Sequence, residues 1–580
     1  MPASKPAGVT KPHCYFLAGL LHAALMLLAF PPVGVWPSAI LAPVPLIWAG
    51  QAWGRRLRII APVSANRIGR VRRAIRWAWQ RISGPVLVSL GCIPLHAYAH
   101  QWVFDVSEFG YPPMVVLMSL FSGIFVWMLA RVCWRWPRMG LVVVAPMMWT
   151  ALEVFRGEIA MTGYPWILIA HPMIDAPHFP GVANLLGTYF AGFLIVACAG
   201  AMVEAMWNRR FAWAGVGVVV VGVVVIVWGG PSKAGSSAPV RVGVVQTNVP
   251  QSNKSVWEMS RRLADFNRFC NLTRLAAAQK PDVIVWPETM FPGITLSAQG
   301  VQEVKDAGLN FTLESGERFE DSMFFDQLMA LSTELTTPML VGALGFDNLK
   351  IGTDPKTRNI TFDYKSRFNS VFLVSGGAVD PAAYSKLELT PFGEIMPYIN
   401  HWPWLQSVML GIGANGMQFD LASGPGPQAF AVRDVAMVTP ICFEATKPDL
   451  CRRLVRAAGN RPVVIVNATN DGWFGSFRGG RLQHMQIARW RCVELGVPMV
   501  RAANTGISAA IDANGMMLKS GVEGAPGAWN QDGILVAAVT PSISKTIYSR
   551  IGDVFGWVVL AVGSLAVIAT FVGRRSNLRS

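Results

Sequence analysis

The stretch "VAMVTPICFEAT" (residues 435–446) runs from apolar and β-branched residues into a cysteine and a glutamate. Its apolar half predicts a short buried strand that leads into Cys442. Similar runs recur between helical patterns, at "VRVGVVQTNVP" (240–250), "PDVIVWPE" (281–288) and "RPVVIVNATNDGWFG" (461–475). Strands that are apolar throughout are buried on both faces, so helices must pack outside their sheet. The sequence therefore predicts a layered α/β domain, with a doubly wound sheet and two sheets packed face to face both open.

The rest of the chain has the composition of a membrane protein. Of its 580 residues, 52% are hydrophobic and 14% are charged, whereas soluble domains average about 25% charged residues. A helix needs roughly 20 apolar residues to cross the hydrocarbon core of a bilayer. We predict a membrane α-helical bundle of eight transmembrane helices, at about 14–31, 35–50, 84–103, 112–133, 139–155, 182–206, 211–229 and 553–573.

Basic residues orient these helices. The loop 51–83 carries nine arginines and no acidic residue, whereas the loop 105–113 carries no basic residue. The positive-inside rule then places both termini in the cytoplasm and the large block between the last two helices on the outer side. The net charge is +16, and contact of the loop arginines with anionic lipid headgroups explains this excess. We therefore do not expect nucleic acid as a partner.

This pattern divides the chain into five parts. A seven-helix transmembrane domain (14–229) and a C-terminal transmembrane helix (553–573) flank an outer α/β domain at 230–550. Cytoplasmic tails cover 1–13 and 574–580. The eight cysteines include no CxxC pair and no Cys/His cluster, so we expect neither a disulfide framework nor a metal site.

Three polar residues, Glu288, Lys386 and Cys442, stand at or near the ends of apolar strands, where α/β proteins place their sites. A single cysteine is ordinarily a buried structural thiol. A nucleophilic cysteine needs a base for its proton and a positive group for the developing oxyanion, which a carboxylate and a lysine supply. Together the three residues favour nucleophilic catalysis. A Cys/His arrangement with His401 or His484 is the alternative, although neither histidine ends a strand.

The motifs "VIVWPET", "YSKLELTPFGE" and "PICFEA", in this order, resemble the Glu–Lys–Cys triad of the nitrilase, or carbon–nitrogen hydrolase, superfamily. The "NS" at 369–370 and "NATNDGWFG" at 467–475 match as well. With seven predicted helices before this domain and one after it, the chain resembles the apolipoprotein N-acyltransferase family. The resemblance implies an αββα sandwich for the extracytoplasmic domain. It also implies that Glu288 is the general base, Lys386 the partner of the oxyanion and Cys442 the nucleophile.

The resemblance further implies a two-step reaction at the bacterial inner membrane, with a periplasmic catalytic domain. The cysteine takes an acyl chain from a phospholipid, usually phosphatidylethanolamine, and holds it as a thioester. The α-amino group of the diacylglyceryl-cysteine of an apolipoprotein then accepts the chain. No cofactor is implied, and we expect a monomer.

Five further residues match positions of the family. Glu394 matches a glutamate that supports the lysine, and Glu444 matches an acid beside the nucleophile. Phe443 replaces the tyrosine that is common there, so a hydroxyl at that position is lost while an aromatic contact with lipid would survive. Trp257 and Trp473 match positions near the lipid-binding cleft.

The segment 395–415, "IMPYINHWPWLQSVMLGIGAN", is apolar and rich in aromatic residues. Because tryptophan is favoured at the membrane interface and the segment follows the lysine motif directly, we expect a mobile lid there. A buried helix is the alternative.

Two other functions remain open. In a membrane-anchored amidase or hydrolase of the nitrilase superfamily, water would take the acyl group instead of an amine. A transporter or receptor with a ligand-binding outer domain would carry polar residues within its spans, and Glu204 near the end of the sixth span is one such residue.

Overall fold

The structure, a computed structural model, describes residues 10–59, 70–207, 237–250, 257, 259–312, 316–357, 359–391, 393–395 and 421–572. The chain divides into two compact units, one of residues 1–230 and 553–580 and the other of residues 231–552. The predicted seventh span (211–229) lies outside the described residues. So do most of both predicted tails and, apart from Ile395, the whole predicted lid.

The first unit is helical. Four of its described helices are long and apolar enough to cross a membrane, over Pro12–Ala29, Ala78–Ala99, Tyr111–Arg135 and Phe179–Trp207, and Val554–Ala569 is a shorter apolar helix. Its described α-helices, numbered in chain order through the whole chain, are α1 (Pro12–Ala29), α2 (Ser38–Leu41), α3 (Pro43–Ile59), α4 (Arg70–Ala99), α5 (Trp102–Val106), α6 (Tyr111–Arg135), α7 (Leu141–Val154), α8 (Ala183–Trp207) and α15 (Val554–Ala569).

The second predicted span, 35–50, differs from the observed helices. It is divided between α2 and α3, which starts at Pro43 and continues to Ile59. Proline has no N–H to donate and so interrupts the hydrogen-bond ladder of a helix. The fifth predicted span corresponds to the 14-residue α7, which passes into a π-helical turn at Phe155–Ile159.

Large apolar side chains point outward from the helices of this unit. Leu17 and Leu21 on α1, Val116 on α6, and Leu565 and Ile568 on α15 are all exposed. A helix that is apolar on all sides suits a lipid environment, because in water its outer face would be polar. The described residues thus support a membrane unit built from several apolar helices.

The second unit contains two large β-sheets. Six strands, in spatial order β17 (Gly533–Val539), β1 (Val240–Gln246), β2 (Val283–Val285), β5 (Met339–Asp347), β8 (Ser366–Ser375) and β9 (Ala378–Ser385), form the first sheet. The second sheet has the order β10 (Ala429–Val432), β11 (Val435–Val438), β12 (Val463–Thr469), β13 (Met499–Ala503), β14 (Ala509–Ile511), β15 (Met517–Val522) and β16 (Ala525–Pro526).

The described residues of this unit also form two hairpins and six α-helices. The hairpins are β3 (Asn310–Thr312) with β4 (Arg318–Glu320) and β6 (Lys350–Thr353) with β7 (Ile360–Asp363). The helices are α9 (Met259–Ala278), α10 (Ala298–Ala307), α11 (Met323–Leu335), α12 (Pro448–Ala457), α13 (Arg478–Leu495) and α14 (Ile547–Ile551).

The two sheets pack face to face. In β1, Val242 and Val244 join a buried core with residues of β11, β12 and β13, whereas Val245 packs on the other face with Phe266 of α9. This alternation follows from the two-residue period of a strand. Apolar residues of α12 and α13 cover the second sheet. The domain therefore consists of two packed sheets and not of one doubly wound sheet, and the predicted αββα sandwich is confirmed.

The strand ends carry the polar residues. β2 is parallel to β1 and β5, and β12 is parallel to β11 and β13. Parallel strands finish at the same edge of their sheet, so residues that follow them are neighbours. Glu288 follows β2, Cys442 follows β11 and Asn470 follows β12.

Candidate active site

The structure places the three predicted catalytic side chains in one buried site. Glu288, Lys386 and Cys442 are 5%, 1% and 9% exposed. Lys386 directly follows β9, and its Nζ lies 3.6 Å from Glu288 Oε1 and 2.7 Å from Oε2 of Glu394. The charges of Glu288, Lys386 and Glu394 all act on the Cys442 thiol. The four residues therefore form a single electrostatic unit.

Two amide groups fix the orientation of Glu288. Asn369 Nδ2 donates to Glu288 Oε1 at 2.7 Å, and the backbone N–H of Asn470 donates to Oε2 at 2.8 Å. Asn369 lies within β8, and its backbone carbonyl also accepts a hydrogen bond from the N–H of Lys386. The carboxylate is thus held by groups from both sheets, in a fixed position relative to the ammonium.

Lys386 is a permanent cation in this site. Burial acts to lower the pKa of Lys386, but the carboxylates of Glu394 and Glu288 outweigh it, so that pKa is raised. Burial likewise acts to raise the pKa of Glu394, but the charge and hydrogen bond of Lys386 leave it lowered. The N–H of Thr390 donates to Glu394 Oε2 at 2.8 Å, and Lys386 donates to the Thr390 hydroxyl at 3.2 Å.

Cys442 is a neutral thiol at rest. Burial raises its pKa to about 12, and the Glu288 charge adds to this effect, while Lys386 and a hydrogen bond with Thr469 oppose it. Its backbone has φ = +50°, at the start of the 3-10 turn Cys442–Thr446. The thiolate is the reactive form, so the thiol needs a base for its proton, and Glu288 is the carboxylate predicted for that role.

Glu444 ties the turn of Cys442 to the segment after Lys386. Its side chain accepts hydrogen bonds from the Ile441 N–H and the Tyr384 hydroxyl, and from the N–H groups of Leu387 and Glu388. Burial raises the pKa of Glu444 to about 7, against the effect of these donors. Glu444 thus connects the backbone before Cys442 with the segment that follows Lys386.

The predicted aromatic residues are spread over separate parts of the unit. Phe443 is buried, with Lys447 Nζ 5.6 Å from the centre of its ring. Trp473 is half-buried in the 3-10 helix Asp471–Phe474. Trp257 is half-buried as well, packs against the core around α9 and donates to Asp265 at 3.0 Å. Their contact with lipid stays a prediction.

Sequence reasoning assigned no role to Asn369, Asn470, Thr390 or Thr469, all of which bind the catalytic side chains. Both asparagines lie in motifs that matched the family. Asn369 carries a further signal, since an asparagine inside an otherwise apolar strand is unfavourable unless it has a buried hydrogen-bond partner. Asn470 acts through its backbone N–H, for which the residue type gives no signal.

Comparison with known proteins assigns the chain to a family. The sequence model of the carbon–nitrogen hydrolase family matches residues 241–548, and that of the apolipoprotein N-acyltransferase N-terminal domain matches residues 22–201. The first match covers more than half of the chain, which therefore belongs to the carbon–nitrogen hydrolase family.

Curated relatives match along nearly the whole chain. The apolipoprotein N-acyltransferase of Geobacter metallireducens is 28% identical over 97% of this chain and 96% of its own. That of Vibrio cholerae is 27% identical over 94% of this chain and 96% of its own. Among solved structures, an amidase from Nesterenkonia sp. covers 54% of this chain and 94% of its own, with 12% identity and a TM-score of 0.33. The predicted family resemblance and enzyme class, an acyltransferase, are confirmed by the family models and relatives.

Proposed function

We propose that the chain is a phospholipid:apolipoprotein N-acyltransferase that works through an acyl thioester on Cys442. One geometric observation carries the mechanism: a buried ammonium, that of Lys386, lies between Glu288 and Glu394 beside a protonated thiol. This arrangement supplies a nucleophile, a base and a cation for an oxyanion within one site.

In the first half-reaction, Glu288 accepts the proton of Cys442 Sγ as the sulfur attacks the ester carbonyl of a phospholipid. The carbonyl oxygen becomes an oxyanion, which the Lys386 ammonium stabilises. When the tetrahedral intermediate collapses, the glycerol oxygen leaves and takes the proton from Glu288, which releases a lysophospholipid. The acyl chain stays on sulfur as a thioester.

In the second half-reaction, the α-amino group of a diacylglyceryl-cysteine attacks the thioester carbonyl. Glu288 accepts the proton that the attacking nitrogen loses, and Lys386 again stabilises the oxyanion. The sulfur leaves as a thiolate and receives the proton from Glu288, which restores the resting site. A thioester is more easily attacked by an amine than an oxygen ester is, so two moderate steps replace one difficult step.

The supporting residues act on these steps in different ways. Glu394 holds the Lys386 ammonium at 2.7 Å and keeps it charged, and Glu444 fixes the turn that carries the nucleophile. Phe443, Trp257 and Trp473 are assigned to acyl-chain contact, with the aromatic segment 395–415 as a lid at the interface.

The apolar helices and the loop arginines support a placement in the inner membrane of a bacterium. The catalytic unit is then periplasmic and both termini cytoplasmic. A monomer satisfies the chemistry, because all the catalytic groups of the site come from one chain. Phosphatidylethanolamine is the proposed donor.

The second candidate is a membrane-anchored hydrolase of the same family, which would share the triad and use water as acceptor. The match of residues 22–201 to the N-acyltransferase N-terminal domain favours the acyltransferase. A transporter or receptor would not need a protonated cysteine beside a base and a cation.

The test supplies purified enzyme in detergent with phosphatidylethanolamine and a synthetic diacylglyceryl lipopeptide. We expect the lipopeptide to gain one acyl chain on its amine, and the Cys442→Ser variant to transfer none. Release of free fatty acid with an unmodified lipopeptide would assign the chain to the hydrolases instead. Transfer by the Cys442→Ser variant would reject the thioester mechanism.

A further inference from the structure

A second buried ionic group lies next to the catalytic site. We call it the arginine cluster and define it as Arg501, Asp471, His484 and Asn467. Arg501 Nη2 donates to both carboxylate oxygens of Asp471 at 2.7 Å, and its Nη1 donates to Asn467 Oδ1 at 2.5 Å. His484 Nδ1 lies 3.0 Å from Arg501 Nη2 and 3.2 Å from Asp471 Oδ1. All four side chains are buried.

The cluster is assembled from separate elements of the second sheet and its helix layer. Asn467 lies on β12 opposite Arg501 on β13, where the parallel register pairs the two residues. His484 projects from α13, and Asp471 opens the 3-10 helix after β12. The cluster therefore joins β12, β13 and α13 behind the edge of the sheet that carries the active site.

Two members of the cluster act on the nucleophile's segment. Asn467, fixed by Arg501, donates from Nδ2 to the carbonyl of Pro440 at 2.9 Å. His484 contacts both Arg501 and Asp471 through Nδ1, and so supports the residue that fixes Asn467. Cys442 has φ = +50°, a conformation that residues other than glycine rarely adopt and that surrounding contacts must hold.

A third connection reaches the base. Asp471 is adjacent in sequence to Asn470, whose backbone N–H donates to Glu288 Oε2. The Asn470 side chain in turn accepts from the N–H of Gly472 and from Asn504 Nδ2. The two contacts with Arg501 thus hold Asp471 in place, and Asp471 is next in sequence to Asn470, which orients Glu288.

The charges of the cluster are fixed at neutral pH. Burial acts to raise the pKa of Asp471, but the charge of Arg501 outweighs it and that pKa is about 2. Burial and the charge of Arg501 lower the pKa of His484, so its ring is neutral. The cluster is an ion pair beside a neutral imidazole. Such a group can hold its neighbours in place, and it does not exchange protons.

We infer that Arg501, Asp471 and His484 are positioning residues that hold the Cys442 turn and Glu288 in register for proton transfer between them. This role rests on the proposed function, because it assumes that Glu288 accepts the proton of Cys442. It assigns to His484 a task different from that of a general base. The ring holds Arg501 and Asp471 in place, and the proton of the nucleophile goes to Glu288.

The experiment compares His484→Ala, His484→Gln and wild-type enzyme in two assays. The first measures the rate of acyl-Cys442 formation from phosphatidylethanolamine in a single turnover, together with the apparent KM for the lipid. The second, which needs no substrate, measures alkylation of Cys442 by iodoacetamide from pH 6 to 10 by peptide mass spectrometry. Arg489→Ala is the matched control, since Arg489 is a buried charged residue of α13 that donates to the carbonyl of Gly515.

We expect His484→Ala to lower the acylation rate roughly 100-fold with an unchanged KM, as a misplacement of reacting groups by about 1 Å does. The pH profile of alkylation shifts, because the thiol no longer has a fixed distance from Glu288 and Lys386. His484→Gln, which retains a side-chain donor, recovers most of the rate, and Arg489→Ala keeps the wild-type profile.

The inference is overturned if His484→Ala acylates at the wild-type rate, or if Arg489→Ala shows the same loss and the same shifted profile. A failure of the proposed function is distinguishable from either result. In that case wild-type enzyme forms no acyl-Cys442, while the alkylation profiles still report whether His484 positions the thiol.

Discussion

Two of the buried cations of the catalytic unit, Lys386 and Arg501, are paired with carboxylates in different ways. Arg501 is matched to a single carboxylate, with two contacts of 2.7 Å to Asp471. Lys386 is shared between two carboxylates, at 2.7 Å from Glu394 and 3.6 Å from Glu288. Arg501 uses Nη2 for both oxygens of Asp471 and Nη1 for Asn467, which fixes the plane of its guanidinium, whereas an ammonium is a compact charge with no fixed plane.

This difference corresponds to two functions. The opposite charges of Arg501 and Asp471 cancel each other, and this pair exchanges no proton. In the proposed mechanism the second carboxylate beside Lys386, Glu288, takes the proton of Cys442 while Glu394 keeps the ammonium paired. Proton transfer from Cys442 to Glu288 leaves the net charge of the site unchanged, so the buried site passes through attack without gaining a charge. The groups around Lys386 therefore change protonation during the proposed reaction, whereas the arginine cluster keeps its charges.

The comparison is tested most severely at Glu288. Glu288→Gln retains the shape of the side chain and removes the base, so acyl transfer should fall by about 10⁴-fold, the upper end for a general base. The Glu288 charge raises the pKa of Cys442, so its removal should also lower that pKa. The pH dependence of iodoacetamide alkylation then shifts to lower pH while transfer is lost. Retained transfer would show that another group accepts the proton.

At Lys386, loss of the cation removes the partner of the oxyanion. Lys386→Met should lower the single-turnover acylation rate by about 10³-fold, the scale for an oxyanion donor. Lys386→Arg keeps the charge but brings a planar fork that suits one carboxylate, and we expect it to recover little. Full recovery by arginine would contradict the distinction between the two cations.

At Asp471, the expected effect is on stability. Asp471→Asn leaves the buried Arg501 charge unpaired, which should cost about 3 kcal/mol or more. The thermal unfolding midpoint of purified enzyme in detergent measures this loss. Asp449→Asn is the control, because Asp449 pairs with Arg452 at a partly exposed site and such pairs contribute about 0–1 kcal/mol. Equal decreases of the unfolding midpoint in the two variants would contradict a structural role of the cluster.

The same pair gives a pH dependence with a defined sign. The pKa of Asp471 is about 2 in the folded protein, against an ordinary value of 3.8. A depressed pKa stabilises the fold above the unfolded value and loses that contribution as pH falls through the folded value. The contribution is therefore roughly 2 kcal/mol, present above about pH 4 and lost towards pH 2. Wild-type enzyme should lose more stability over this window than Asp471→Asn, measured by unfolding at each pH.

The smallest expected effect is at Glu394. Glu394→Gln keeps an oxygen for Lys386 and removes one charge, so acylation should slow by about tenfold, the equivalent of roughly 1.4 kcal/mol. Steady-state kinetics with phosphatidylethanolamine should show the change in kcat with KM retained. A loss as large as that of Lys386→Met would instead make Glu394 a direct participant in the chemistry.

The sequence predicts much of this site because its signals are local. Glu288 and Cys442 each follow a buried apolar strand, β2 and β11, and Lys386 directly follows β9. β2 and β9 belong to one sheet and β11 to the other, so the packing of the two sheets brings the three residues together. The αββα layering could not be read from the strands alone, since a strand buried between two sheets and a strand buried between sheet and helices are equally apolar.

The remaining contacts depend on tertiary geometry. His484 ends no strand, and its contacts with Arg501 and Asp471 arise only when α13 packs on the sheet. Arg501 and Asn467 meet through the register of β12 and β13, which no property of either residue specifies. Asn470 acts through a backbone N–H that every residue except proline carries.

The most direct test of the mechanism is the mass of the Cys442 peptide after wild-type enzyme is incubated with phosphatidylethanolamine and no acceptor. We expect one added acyl chain on Cys442, which neutral hydroxylamine removes and which is transferred when a diacylglyceryl lipopeptide is supplied. An unmodified Cys442 in enzyme that still acylates the lipopeptide would contradict the mechanism.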